Sequence, residues 1–118
     1  MISTLFRFRG HNSLRYTYAN GKAVRSQYFT VKFVANKHRA HSRFSVVVSK
    51  KVIKSAVARN RIRRRVYEYV RVNLPRIEET HDVVIICTSG ELRSVAYEII
   101  QQQLDDLFTK AELYRKLP

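Results

Sequence analysis

The first 67 residues of this chain, Met1 to Tyr67, contain 17 lysines and arginines and no aspartate or glutamate. Whatever this half folds into is assembled without carboxylates of its own, and its cations repel one another in any compact state. From Glu68 to Pro118 the balance reverses, with 6 basic and 9 acidic residues. The net charge of the 118 residues is +14. A polyanionic partner accounts for such a field. A membrane surface accounts for it less well, because no segment joins a cationic face to a long insertable apolar one.

An apolar fraction of 45% argues against wholesale disorder, and the length suits one domain, 1–118. No apolar run is long enough to span a bilayer. Met1–Gly10 alternates Phe6 and Phe8 with Arg7 and Arg9, unlike the apolar centre of a signal peptide. A cytoplasmic protein is expected, with residues 1–9 as a flexible basic tail. The single cysteine, Cys87, lies in the apolar run Val83–Cys87 and reads as a small buried hydrophobe.

Periodicity gives the order α-β-β-α-β-α. Asn12 or Ser13 is placed to cap a short helix carrying Leu14 and Tyr18, with Gly21 as its stop. Tyr28–Ala35 alternates as a strand, with Phe29, Val31 and Phe33 on one face and Tyr28, Thr30, Lys32 and Val34 on the other. Residues 36–42 read as a polar loop. Arg43–Ser49 is a second strand, with Phe44, Val46 and Val48 opposite Ser45, Val47 and Ser49. Ser55 is positioned to cap a helix from Ala56 to about Leu74, closed by Pro75, with a stripe of Ile62, Val66, Tyr69 and Val70. Asp82–Cys87 is apolar almost throughout, which predicts a central strand buried on both faces. After a Ser89-Gly90 turn, a last helix over 94–110 aligns Ala96, Ile100, Leu104, Leu107 and Ala111. One α+β layered domain follows.

The chemistry is concentrated in 49–71. Lys50-Lys51 close a strand, and the next helix carries Arg59, Arg61, Arg63, Arg64 and Arg65. At 100° per residue these arginines spread over most of the exposed circumference, while Ile62 and Val66 face inward. Phosphates approaching from several directions suit that spread. Arginine adds bidentate hydrogen bonding and base stacking. Asn60 can bond a base edge or a 2′-hydroxyl. Basic helices are often merely solvated, but here the first acid is Glu68, so helix-stabilising ion pairs do not explain Arg63-Arg64-Arg65.

Lys50-Lys51 followed by Arg59-Asn60-Arg61-Ile62-Arg63-Arg64 resembles the signature of the bacterial ribonuclease P protein family. Arg9–Gly21 is similar to the family's first helix, and Leu107–Ala111 to its last. The resemblance implies an αββαβα sandwich on a mainly four-stranded sheet, ribosomal protein S5 domain 2-like, with a left-handed βαβ crossover. Without it, a right-handed crossover would be expected.

It also implies a role in removing the 5′ leader of precursor tRNA, with the catalytic RNA as partner and no required protein partner. RNA and its Mg2+ cut the phosphodiester, and the protein raises substrate and metal affinity. The implied contacts to catalytic RNA are Lys50, Lys51, Arg59, Asn60, Arg61, Arg63 and Arg64, to which Arg65 is added from the same basic run. The implied leader cleft comprises Leu14, Tyr18, Thr30, Lys32, Val47 and Arg63. In the family an aromatic is common at the position of Lys32, and an arginine usually extends the basic face at that of Tyr67.

No protein-borne nuclease site is expected. The acids all lie in the second half, and adjacent Asp105 and Asp106 point about 100° apart on a helix. Asp82 reads as a turn residue. His11, His38, His41 and His81 are scattered and make a weak metal site; His38 and His41 read as additions to loop affinity for RNA. The competing readings are a structural protein of another RNA particle, which would need no cleft, and a DNA-binding module. A self-sufficient enzyme ranks last.

Overall fold

A computed structural model of the chain describes residues 11–36, 41–77 and 80–114, with side chains from Tyr16 onward; the expected tail and His38 lie outside these residues. Helix α1 (His11–Asn20) leads into strands β1 (Lys22–Arg25), β2 (Phe29–Ala35) and β3 (Arg43–Val48). Helix α2 (Ala56–Asn73), strand β4 (His81–Cys87) and helix α3 (Tyr97–Lys110) follow. The sheet order is β1-β2-β4-β3, with β3 and β4 parallel and the other pairs antiparallel.

Strand β4 is central, as its uninterrupted apolar run predicts. Its register builds three cross-strand rows on one face: Phe29–Cys87–Val48, Val31–Ile85–Val46 and Phe33–Val83–Phe44. Helices α2 and α3 cover that face with Ile62, Val66, Tyr69, Val70, Ile100, Leu104, Leu107 and Phe108, all buried. Because side chains alternate along a strand, the opposite face carries Thr30–Ile86–Val47, Lys32–Val84–Ser45 and Val34–Asp82–Arg43. Helix α1 packs across this second face, against β2 and β4.

Several sequence expectations shift. Periodicity alone marks three strands; the sheet has the four that the family resemblance implies, because Lys22–Arg25 forms an edge strand whose burial is confined to a half-covered Val24. Such a short cationic edge leaves little periodic signal and discourages pairing with other chains. Helix α1 already includes Asn12 and Ser13, so neither is its cap. Gly21 does end it: its N–H donates to the Thr17 carbonyl at 2.9 Å. A Cβ at Gly21 would stand 2.5 Å from that carbonyl oxygen and 3.0 Å from that of Phe33, so only glycine lets the chain turn here without a shift.

Tyr28 precedes β2 and turns inward, where its hydroxyl donates to Glu91 at 3.0 Å. The last helix starts at Tyr97 rather than Ser94. Ser89 accepts from the Glu91 N–H at 3.1 Å and caps a 3-10 turn over Gly90–Arg93, which leaves Ala96 exposed as the residue before α3. Asp82 is no turn residue. It is buried within β4, where Arg43 binds it through both carboxylate oxygens, at 2.9 and 2.7 Å, and Asn36 donates to it at 2.9 Å. Strand pairing, invisible in a single sequence, brings this cation from the acid-free half to its carboxylate.

Candidate nucleic-acid interface

The basic surface is built at the β3–α2 junction. After β3 the chain turns through Lys50 and Lys51, with the Ser49 carbonyl accepting from the N–H groups of Val52 (3.2 Å) and Ile53 (3.1 Å). The Ser55 hydroxyl then accepts from the Ala58 N–H at 3.2 Å, the expected N-cap. Ala58, Ile62, Val66, Tyr69 and Val70 bury one face of α2. The arginines take the remaining circumference.

These cations divide by what they touch. Arg59 donates to the carbonyls of Ile53 (3.0 Å) and Lys54 (2.8 Å), tying the preceding loop to the helix. Arg65 donates to the Val95 carbonyl at 2.9 Å and so joins α2 to the segment before α3. Arg63 donates to the Asn60 side-chain oxygen at 2.7 Å, orienting that exposed amide. A guanidinium has five N–H donors, so these bonds leave others unused. Lys50, Lys51, Arg61 and Arg64 are exposed, and none makes a hydrogen bond or ion pair among the described residues. Position in the sequence does not separate these two groups; only packing does.

Ion pairs among the described residues include Arg43–Asp82, Arg71–Glu68 and Arg76–Asp105. Of these cations only Arg43 belongs to the acid-free half. Glu68 is occupied by Arg71, through contacts at 3.0 and 2.5 Å, so it leaves the arginine run unneutralised. That pairing holds the Glu68 carboxyl below its ordinary range.

A second surface lies where α1 crosses the sheet. Thr30, Lys32 and Val47 share one face, as the alternation of β2 and β3 predicts, and the register adds Ile86 and Val84 of β4 between them. Lys32 donates to the Tyr18 carbonyl at 3.2 Å, and its ammonium lies 5.0 Å from the centre of the Tyr18 ring. Tyr18 is 39% exposed, and partial burial raises its phenol pKa. Thr17 beside it is fully buried. Leu14 lies one turn earlier in α1, but its side chain is outside the described residues.

Arg63 makes no bond to Thr30, Lys32 or Val47 among the described residues. Its charge is felt at Cys87, whose side chain lies on the helix-covered face of the sheet, opposite the Thr30–Ile86–Val47 row. Ile86 and Val84 carry no polar signature in the sequence, and the pairing register alone locates them in this surface.

The other polar groups singled out in the sequence divide between core and surface. Tyr67 is buried, and its hydroxyl accepts from the Val46 N–H at 3.2 Å, so this position faces the core and does not extend the basic surface. His81 is buried edge-on to Phe33, with ring centres 6.3 Å apart, whereas His41 is exposed. Asp105 accepts from the Tyr69 hydroxyl and from Arg76 (3.4 Å), while Asp106 is exposed. Among the described residues no three histidine, cysteine, aspartate or glutamate side chains gather as metal ligands. None of the described helices is long and apolar enough to cross a membrane.

Comparison with known proteins adds lineage to this geometry. Residues 3–112 match the family model described as Ribonuclease P. The ribonuclease P protein component of Syntrophobacter fumaroxidans is 34% identical over 105 residues, covering 83% of this chain and 87% of the relative. That of Synechocystis is 33% identical over 94 residues, covering 80% and 75%. The ribonuclease P protein of Staphylococcus aureus superposes with a TM-score of 0.84 at 26% identity, covering 93% of this chain and 98% of that one. The Thermotoga maritima protein gives 0.79 at 29% identity, covering 88% and 96%.

Proposed function

Since the chain belongs to the ribonuclease P protein family, we propose that it binds the catalytic RNA through the β3–α2 junction and guides the 5′ leader of precursor tRNA across the α1–sheet surface. The observation that carries this reading is the set of exposed, unpartnered cations Lys50, Lys51, Arg61 and Arg64 beside the oriented amide of Asn60. Neutralising phosphates with such groups releases counterions and drives binding. Arg59, Arg63 and Arg65 contribute their remaining donors while fixing the shape of this surface.

In the leader surface, Tyr18 offers an aromatic face and Lys32 a cation beside it. Together they suit a single-stranded segment, whose bases stack while its phosphates meet positive charge. Thr30 supplies a hydroxyl on the same face, and Val47 an apolar flank beside Ile86.

Mg2+ is the metal of the proposed reaction. The described side chains do not fit it as a resident ion, since no three ligand side chains converge. The protein's share is to bind and orient RNA, and the chemistry belongs to the RNA with its own Mg2+.

The test is cleavage of a precursor tRNA by a bacterial ribonuclease P RNA at low Mg2+, with and without this protein. Rescue by the wild type, weakened assembly in Arg61→Ala, and a defect of Lys32→Ala confined to leader-bearing substrate would support both surfaces. A correctly folded cognate RNA whose activity the protein leaves unchanged would overturn the reading.

A further inference from the structure

At the margin of the arginine surface of α2, a cavity of about 430 Å³ opens between α2 and the start of α3, lined by Arg64, Arg65, Glu68 and Tyr97. That volume falls within the range of small-ligand sites. Arg65 is pinned by its bond to the Val95 carbonyl, and its guanidinium carbon lies 5.9 Å from the centre of the Tyr97 ring. By contrast, Arg76 sits 3.9 Å from the Tyr114 ring centre, within contact distance. The Arg65 guanidinium is thus fixed beside the Tyr97 ring without lying flat against it. Tyr97 itself is half-buried against the core, so the ring is held in place.

Charge gives the cavity a direction. Arg64 is exposed and has no partner among the described residues, whereas Glu68 is held by Arg71. An anion is therefore favoured on the Arg64 side and opposed by the Glu68 carboxylate.

We propose that this cavity takes one unstacked nucleotide of a bound RNA, its base against Tyr97 and Arg65 and its phosphate toward Arg64. Stacking of bases on an aromatic ring or a guanidinium plane is a general means of holding splayed-out RNA. Arg64 links the cavity to the arginine face of α2, so an RNA strand on that face passes its mouth. The proposal rests on the RNA-binding reading above and adds Tyr97, which that reading does not use.

The experiment uses the full chain and a single-stranded adenosine pentanucleotide, followed by NMR titration of the ¹⁵N-labelled protein. Chemical shift changes are expected at Tyr97, Arg65 and Val95, and Tyr97→Leu should weaken binding at these signals roughly tenfold while Tyr97→Phe keeps it. Tyr18→Ala should leave these shifts in place, since it removes the other surface. Thermal melting of each variant identifies any loss caused by unfolding, and Tyr97→Phe, which keeps the ring, then decides the matter. Shifts confined to α1 and β2, or unchanged affinity in a folded Tyr97→Leu, would overturn the proposal.

Precursor tRNA cleavage with the catalytic RNA separates this idea from its premise. Rescue by both the wild type and Tyr97→Leu, together with a silent cavity in the titration, would sink the nucleotide site and leave the family function standing. Failure of the wild type itself to rescue would instead strike the premise.

Discussion

Lys32 of β2 reaches Tyr18 of α1 in two ways at once, donating to its carbonyl at 3.2 Å and placing its ammonium 5.0 Å from its ring centre. The Tyr18 carbonyl is near the C-terminal end of α1, where the helix dipole favours a cation. The same ammonium therefore finishes a helix and stands at the edge of the surface proposed for the leader. Lys32→Ala is expected to lower affinity for leader-bearing precursor tRNA by roughly 2- to 5-fold, the size of an exposed cation–aromatic or phosphate contact. Mature tRNA, which lacks the leader, should bind unchanged. Comparing the two dissociation constants checks this, and equal losses for both substrates would remove Lys32 from the leader surface.

The two kinds of arginine on α2 should separate in experiment. Arg61→Ala removes an exposed, unpartnered cation, so stability should hold while affinity for the catalytic RNA falls and its log–log salt dependence drops by about one contact. Arg59→Ala removes the donor to two loop carbonyls and should cost about 1–2 kcal/mol in urea unfolding, after allowance for the exposed bond to Lys54. If Arg59→Ala were as stable as the wild type, the loop would not depend on that guanidinium.

Much of this architecture was legible in the sequence, for a physical reason. Burial acts on side chains with a fixed period, so Phe29, Val31, Phe44, Val46, Val48, Ile62, Val66, Tyr69 and Val70 announced their faces, and Ser55 announced its cap. What depends on pairing between distant segments was not legible. The edge strand β1 has almost no buried face, Asp82 finds Arg43 only through the β3–β4 register, and Tyr67 turns into the core from the midst of a basic run. In the candidate interface, the residue types were readable but their division of labour was not. Arg59 and Arg65 are indistinguishable in sequence from Arg61 and Arg64, and only the nearby carbonyls of Ile53, Lys54 and Val95 set them apart.

The Arg43–Asp82 pair yields a stability prediction. Their side chains are 12% and 8% exposed, and the carboxylate is further bound by Asn36. Asp82→Ala would leave the Arg43 guanidinium poorly solvated and without the Asp82 carboxylate, a change that typically costs about 3–5 kcal/mol. Replacing both residues by apolar ones of similar volume should cost much less, because no charge is then stranded. Denaturant melts of the single and double variants decide the point, and equal losses would show that the pair contributes through packing alone.

Alkaline conditions should expose the buried end of β4. Burial pushes the Cys87 thiol up to about 12, with the Arg63 charge opposing a smaller part of the shift. The unfolded thiol titrates near its ordinary value of about 8.5. Between that value and about 12 the unfolded chain loses a proton that the folded chain keeps. Stability is then fully present below the lower value and falls as pH rises, at a rate approaching 1.4 kcal/mol per pH unit for this one group. Tyr114, raised by burial to about 12, and Tyr69, raised by burial and by its Asp105 and Tyr114 partners, act in the same direction above about pH 10. Cys87→Ala introduces a small cavity and should lower stability at pH 7, yet flatten its decline between pH 9 and 10 because the titrating group is gone. Urea unfolding at both pH values tests this. Parallel declines in the wild type and Cys87→Ala would mean that the alkaline loss arises elsewhere.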